Sequence, residues 1–430
     1  MYLNNNRFSM RKRRRRTNWM RVIVLGLLIL GGWYVNQVVI PDIDPIGIPS
    51  PTPTRAPESY VSEAEQYLNS GKLVQAVEQY QLAIKSDPSN VSNYITTARL
   101  QIYLGYYEDA IENLGNALLL NDSNMMAYAL RGWAYGFMGS FVDAETSLNR
   151  AIELDPNSGV PYAYLAEVYG LKYESNSSII GVIDLAIENS RKAVDFAPNT
   201  LETHRARGYI LELTQSYPEA ALEYAAAIEI NPYIADLHLA LGRIYYNALG
   251  EYQLAVPQLT EADLLNPADP RPDVYLSRLY QQQGEYATAI QYAQQAIRDD
   301  PTDTYYYGNL GTLYYLNFDN EQAVENLRLV VRGGTSEDGV VVEPLPLDYG
   351  RIAQYFYFYG LAVARIGDCT EALQIAQALQ RTVTEDAISL ANADEMLNIC
   401  LGISDSETLP DGETTPEATT EAEADITATP

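Results

Sequence analysis

The chain has 430 residues, 47% hydrophobic and 20% charged, so it is neither disordered throughout nor fibrous. Its 28 basic and 56 acidic residues give a net charge of −28, which argues against a nucleic-acid binder because neutralising phosphates needs a basic face. Two cysteines and two histidines exclude a Cys/His zinc module and a disulfide-dense scaffold.

Residues 1–21 hold eight basic side chains and no acidic one, with Arg11 to Arg16 in one unbroken cationic run. The nineteen residues 22–40 that follow are uncharged and, as a helix, would reach about 28 Å, close to the hydrocarbon thickness of a bilayer. Trp19, Trp33 and Tyr34 punctuate this run as interfacial rings do, while Asn36 and Gln37 interrupt its apolar character. Three readings compete: a retained signal-anchor helix, a cleaved signal peptide and a buried core helix. No small-x-small cleavage site follows, which favours retention. The arginines then predict a single-pass protein with its N-terminus in the cytoplasm and the remainder across the membrane. Residues 41–57 contain six prolines and read as an extended stalk.

From residue 58 to 384 the chain repeats. Tyr60, Tyr94, Tyr128 and Tyr162 are thirty-four residues apart, as are Gly71, Gly105 and Gly139, and Ala76, Ala110 and Ala144. Insertions at 173–180 and 336–348 interrupt the step, which then resumes. Each unit reads as two amphipathic helices; in one, these are expected at about 125–137 and 142–154, with a turn at Gly139 and a stop at Asp155 and Pro156. Small residues such as Gly132 and Ala151 recur where helices would cross closely. One pair cannot bury its own apolar face, so neighbours must stack. Pro257, inside a second helix, predicts a local irregularity.

Tyr128, Gly132, Tyr135, Gly139, Ala144, Leu148, Ala151 and Pro156 together resemble the tetratricopeptide-repeat motif. The resemblance covers nine units and implies an all-α, right-handed superhelical solenoid whose first helices line a concave, partner-binding groove. Carried onto this chain, the family's groove positions are Arg99, Trp133, Tyr209, Arg243, Tyr246, Arg278, Thr312, Tyr315 and Tyr357. Arginines there suit carboxylates or backbone oxygens, and the aromatics suit apolar anchoring; pairing of each arginine with a neighbouring glutamate is the competing reading. The paired lysines and asparagines of the family's carboxylate clamp are not evident, so chaperone C-terminal peptides are not expected as ligands.

Residues 385–402 read as a capping helix. Cys369 starts the last unit's second helix and Cys400 ends the cap, which suits a disulfide between antiparallel neighbours; two free buried thiols are the alternative. Residues 403–430 carry eight acidic and no basic side chains and read as a disordered tail. No phosphate loop, nucleophile elbow or His-Glu-x-x-His helix is present. His204 and His238 occupy equivalent sites and read as core rather than as metal ligands. No catalytic, cofactor or metal site is therefore expected. The sequence supports a membrane-anchored, non-catalytic scaffold for a protein or peptide partner, supporting assembly of an envelope complex. The alternative is a secreted or periplasmic peptide- or glycan-binding accessory released by signal cleavage.

Overall fold

The computed structural model describes residues 18–34 and 55–402. Most of the basic N-terminus, nearly all of the proline-rich stalk and the acidic tail lie outside the described residues. The chain divides into two compact units, 1–55 and 56–430.

The first unit contributes α1 (Trp19–Tyr34). It begins three residues ahead of the expected Val22, with the amides of Arg21 and Val22 donating to the Asn18 carbonyl at 2.9 and 3.4 Å. Arginine is tolerated in such a turn because its long stem can carry the charge away from an apolar helix. None of the sixteen residues is buried. At about 24 Å the helix falls short of a bilayer core, and among the described residues no helix is long and apolar enough to cross a membrane. The spanning helix expected over 22–40 is thus not found there; its last six positions lie outside the described residues.

In the second unit helices pair in sequence. α2 (Pro57–Leu68) packs with α3 (Leu73–Ser86), α4 (Val91–Tyr103) with α5 (Tyr107–Leu120), and α6 (Met125–Phe137) with α7 (Phe141–Leu154). Next come α8 (Gly159–Ser175) with α9 (Val182–Phe196), α10 (Leu201–Leu213) with α11 (Tyr217–Ile230), and α12 (Ala235–Asn247) with α13 (Tyr252–Leu265). The series closes with α14 (Pro270–Gln282) and α15 (Tyr286–Asp299), α16 (Thr304–Leu316) and α17 (Asn320–Arg332), α18 (Arg351–Arg365) and α19 (Cys369–Thr382), then α20 (Ala387–Leu401). The first insertion lengthens α8 to Ser175. The second forms a short antiparallel hairpin, β1 (Gly334–Thr335) with β2 (Val341–Val342), rather than only the extended loop its Val/Pro sequence suggests. α13 runs unbroken through Pro257; that proline forgoes one backbone hydrogen bond near the helix start.

Local chemistry sets each boundary. Asp87, Asn121, Asp155, Asn231 and Asp300 end second helices, and each side chain accepts a hydrogen bond from the amide two residues on. Asn90, Asn124, Thr200, Asp269 and Asp303 then cap the following helices. Between paired helices the turn needs a left-handed residue. Gly139 supplies it at φ +71°, but Gln215 and Phe318 occupy the same register at +62° and +64°, a conformation that is uncommon outside glycine. Close crossing explains Gly132: a Cβ there would sit 2.6 Å from Leu148.

The tyrosines at the repeated first position do more than fill space. The hydroxyls of Tyr94, Tyr162 and Tyr307 donate to the carbonyls of Pro88, Pro156 and Pro301, each six residues earlier, at 3.3, 3.4 and 3.1 Å. His238 substitutes for tyrosine without losing the bond, since its Nε2 meets the Pro232 carbonyl at 2.9 Å. Asp273 stands in the same register and is 1% exposed, yet no donor group among the described residues reaches its oxygens, which face the Asp299 carboxylate instead. Burial and the nearby Asp263 and Asp299 push its pKa up to about 8, so the neutral, donor-bearing acid is the form this slot favours.

Candidate functional site: a partly closed central channel

The first helices stack on one another, α4 against α6, α6 against α8 and α8 against α10, so their inner faces form a concave surface. The stack also meets itself. The Tyr233 hydroxyl donates to the Asn69 carbonyl at 3.0 Å, 164 positions away. A Cβ on Gly71 would come within 2.9 Å of the Tyr233 ring and 3.3 Å of Leu265. The first turn of the series therefore touches the link leading into α12 and the end of α13. Curvature has turned an open groove into a channel with a wall opposite it.

Inside lies a cavity of about 490 Å³. Trp133, Tyr209, Arg243 and Arg278, four of the expected groove residues, line it. They are joined by Tyr103, Glu167, Arg205, Arg271 and Tyr275, which sequence reading passed over. Two signals point to these. Glu167 lies one thirty-four-residue step beyond Trp133, and Tyr103 and Arg205 lie four residues from groove positions, hence on the same helix face.

At one end the charged groups and the Trp133 indole engage one another, while the buried Tyr164 hydroxyl has no partner among the described residues. Trp133 is 2% exposed, stacks on Tyr164 with centroids 4.7 Å apart, and donates through Nε1 to Glu167 Oε2 at 2.8 Å. Arg205 grips the same carboxylate with two bonds, Nε to Oε1 at 2.9 Å and Nη2 to Oε2 at 3.0 Å. Its guanidinium carbon lies 3.8 Å from the centre of the Trp133 ring, a favourable position for a cation. Burial raises the Glu167 pKa against the opposing pull of Arg205. Trp133, expected as a partner anchor, is thus a buried member of an internal network.

Further along, the Arg243 guanidinium pairs with Glu212 at 2.7 Å, and Tyr224 donates to that carboxylate at 3.2 Å. Tyr209 donates to Glu174 at 2.5 Å. Arg271 bridges Asp269 and Asp236 at 2.7 and 3.0 Å. Arg278 differs: among the described residues it makes no ion pair and no side-chain hydrogen bond, although it lines the same cavity. Burial and the neighbouring Arg351 both depress its pKa.

The other expected groove residues lie off the cavity lining. Arg99 is half-buried with its Nε unpartnered. Tyr246 meets Tyr275 edge-on at 6.0 Å. Thr312 is buried, and Tyr315 packs on Phe358 at 4.7 Å under the Arg365 guanidinium. Tyr357 also abuts Phe358. Cys369 and Cys400 are bonded to each other, with Cα atoms 5.4 Å apart. His204 meets Glu223 at 2.7 Å and His238 meets Gln258 at 2.8 Å, so each histidine is held locally. Among the described residues no group of three or more His, Cys, Asp or Glu is placed to hold a metal.

Profiles of the tetratricopeptide repeat match residues 127–158 and 246–313. No curated protein matches the chain. Similar solved structures include pilF of Pseudomonas aeruginosa, 21% identical over 59% of this chain and 96% of that one, with a TM-score of 0.41. The Cut9–Hcn1 hetero-tetramer of the APC/C is 14% identical over 88% of this chain and 83% of that one, at 0.49. A human IFIT1 dimer with PPP-AAAA is 18% identical over 72% and 79%, at 0.45.

Proposed function

Starting from a chain built of tetratricopeptide repeats, we propose that it is a non-catalytic scaffold that holds a protein or peptide segment in its central channel. The single supporting observation is the cavity itself, where tyrosine rings and an uncommitted arginine face a space of about 490 Å³. Aromatic rings with polar tips and arginine are the side chains from which protein-binding hot spots are built. Such a space suits an extended segment better than a folded domain, because the contact between Tyr233 and Asn69 narrows lateral entry.

The proposal includes an anchor. The arginine run, the uncharged stretch 22–40 and the exposed apolar side chains of α1 support a membrane-held protein with its repeats on the non-cytoplasmic side. A disulfide between Cys369 and Cys400 suits an oxidising compartment. Assembly of an envelope complex is the role such a display would serve.

Site-specific photo-cross-linking tests the binding surface. A photoreactive residue at position 275, on the cavity, is expected to trap discrete protein adducts in native membranes, whereas one at Leu119, on the outer surface, is not. Equal trapping at both positions would remove the channel from the account. Resistance of the full chain to carbonate extraction checks the anchor separately.

A further inference from the structure

The residue after each small crossing position forms a series along the channel: Trp133 after Gly132, Glu167 after Ala166, Tyr209 after Gly208, Arg243 after Gly242 and Arg278 after Ser277. All five line the cavity. The charged part of that lining comprises four arginines and three carboxylates, a surplus of one cation in a chain of net charge −28. Arg205 holds Glu167, Arg243 holds Glu212, and Arg271 holds Asp236 and Asp269. The remaining lining carboxylate, Glu174, accepts from Tyr209. Arg278 is left without an anion among the described residues.

The repeat explains why. Arg243 takes its partner from the preceding first helix, where Glu212 stands three positions after Tyr209. One thirty-four-residue step further on, three positions after Arg243, the chain has Tyr246. An acid there would stand to Arg278 as Glu212 stands to Arg243. Tyr246 instead packs against the rings of Tyr252 and Tyr275, with centroids 5.8 and 6.0 Å apart, and its phenol brings no charge. Burial meanwhile depresses the Arg278 pKa, as expected of a guanidinium that has lost hydration without gaining a counter-ion.

The surroundings of this cation are apolar. Val274 and Tyr275 lie one turn before Arg278 on the same face of α14, and Leu239 and Ala240 bring the inner face of α12 to the same cavity. The register also indicates which anion fits, because every other arginine in the lining holds a carboxylate.

We propose that Arg278 sets the specificity of the channel: it takes a carboxylate from the bound segment, in the role that Glu212 plays for Arg243, while apolar residues beside that carboxylate pack on Val274, Tyr275, Leu239 and Ala240. This deepens the channel reading and rests on it. An acidic side chain and a chain terminus both carry the required group, and the test separates them.

Pentapeptide pools bearing a neutral fluorophore are titrated by anisotropy against the full chain, with flanking positions randomised among alanine, valine, leucine, tyrosine and serine. Three pools are amidated and carry glutamate, glutamine or lysine at the centre; a fourth carries central glutamine and a free terminal carboxylate. The glutamate pool should bind about tenfold more tightly than the glutamine pool, and the lysine pool more weakly than either. A gain of that size in the fourth pool alone would assign the carboxylate to a chain terminus. Arg278→Gln should erase the preference, and Arg278→Lys should keep part of it. Tyr246→Glu, which leaves the arginine in place and gives it an internal partner, should erase it too. Arg381→Gln, on the exposed surface of α19, should leave it intact. Unchanged thermal melts establish that each variant is folded, and Tyr246→Glu decides the matter should Arg278→Gln melt early. Equal binding of all pools, or a carboxylate preference undiminished in the folded variants, would overturn the proposal and leave the channel reading standing. Absence of binding by every pool would also overturn it, and photo-cross-linking at position 275 then judges the channel reading on its own.

Discussion

Two arginines in one channel show what charge can do in a repeat protein. Arg205 is locked by two hydrogen bonds onto Glu167, with its guanidinium carbon over the Trp133 ring. Arg278, a few repeats on, lines the same cavity with no anion in reach among the described residues. Both are arginines on inner faces of first helices, yet one is part of the architecture and the other is available. A groove residue is informative only when its partner is known.

Neutralising each arginine separates the two roles most strongly. Arg205→Met leaves Glu167 buried beside Trp133 without its cation, and should cost about 3–5 kcal/mol in chemical denaturation. Arg278→Met relieves an unpaired desolvated charge and should leave stability unchanged or raised. Equal losses would show that the two ends of the channel are built alike.

The covalent clasp between α19 and α20 comes next. Cys369→Ser opens a loop of 31 residues, worth about 3.7 kcal/mol by the chain-entropy estimate. In stacked repeats the loss should be local, so hydrogen exchange should accelerate in α20 and leave α6 to α10 protected.

Asp273, on the same helix as Arg278, provides a pH-dependent test. Its folded pKa, pushed up to about 8, lies above the unfolded value. The neutral acid's contribution is complete below the unfolded carboxylate pKa and is lost as pH rises toward 8. Asp273→Asn should therefore stabilise the protein by about 1–2 kcal/mol at pH 8. The difference should shrink toward pH 4 in paired thermal melts. A variant that gains nothing at pH 8 would mean that Asp273 ionises without cost.

The smallest expected effect concerns turns. Gln215 and Phe318 hold the left-handed conformation that glycine holds at equivalent turns. Phe318→Gly should add about 1 kcal/mol, readable as a small rise in denaturation midpoint.

Periodicity made the helix pairs readable nearly to the residue. Expected helices at 125–137 and 142–154 occur as Met125–Phe137 and Phe141–Leu154, because Asx caps, glycine turns and small crossing residues are local signals that repeat. The second insertion was less legible, since a two-residue strand pair depends on what it packs against. The site was partly legible. Of the groove positions implied by the resemblance, Trp133, Tyr209, Arg243 and Arg278 line the cavity, but whether a side chain is committed depends on contacts between motifs. Glu167 and Arg205 are 38 positions apart, and no periodic rule links an acid in one helix to a base in the next. His238 shows the converse: a departure from the aromatic pattern preserved the hydrogen bond that the aromatic makes.

The contact from Tyr233 to Asn69 bears on how the molecule comes apart. An open array of repeats melts from its ends like a zipper, each unit answerable only to the next. Stitching the first unit to the sixth gives the amino-terminal end a second neighbour, so peeling it away must also release the middle of the array. Under mechanical load that stretch should yield as one block rather than one repeat at a time.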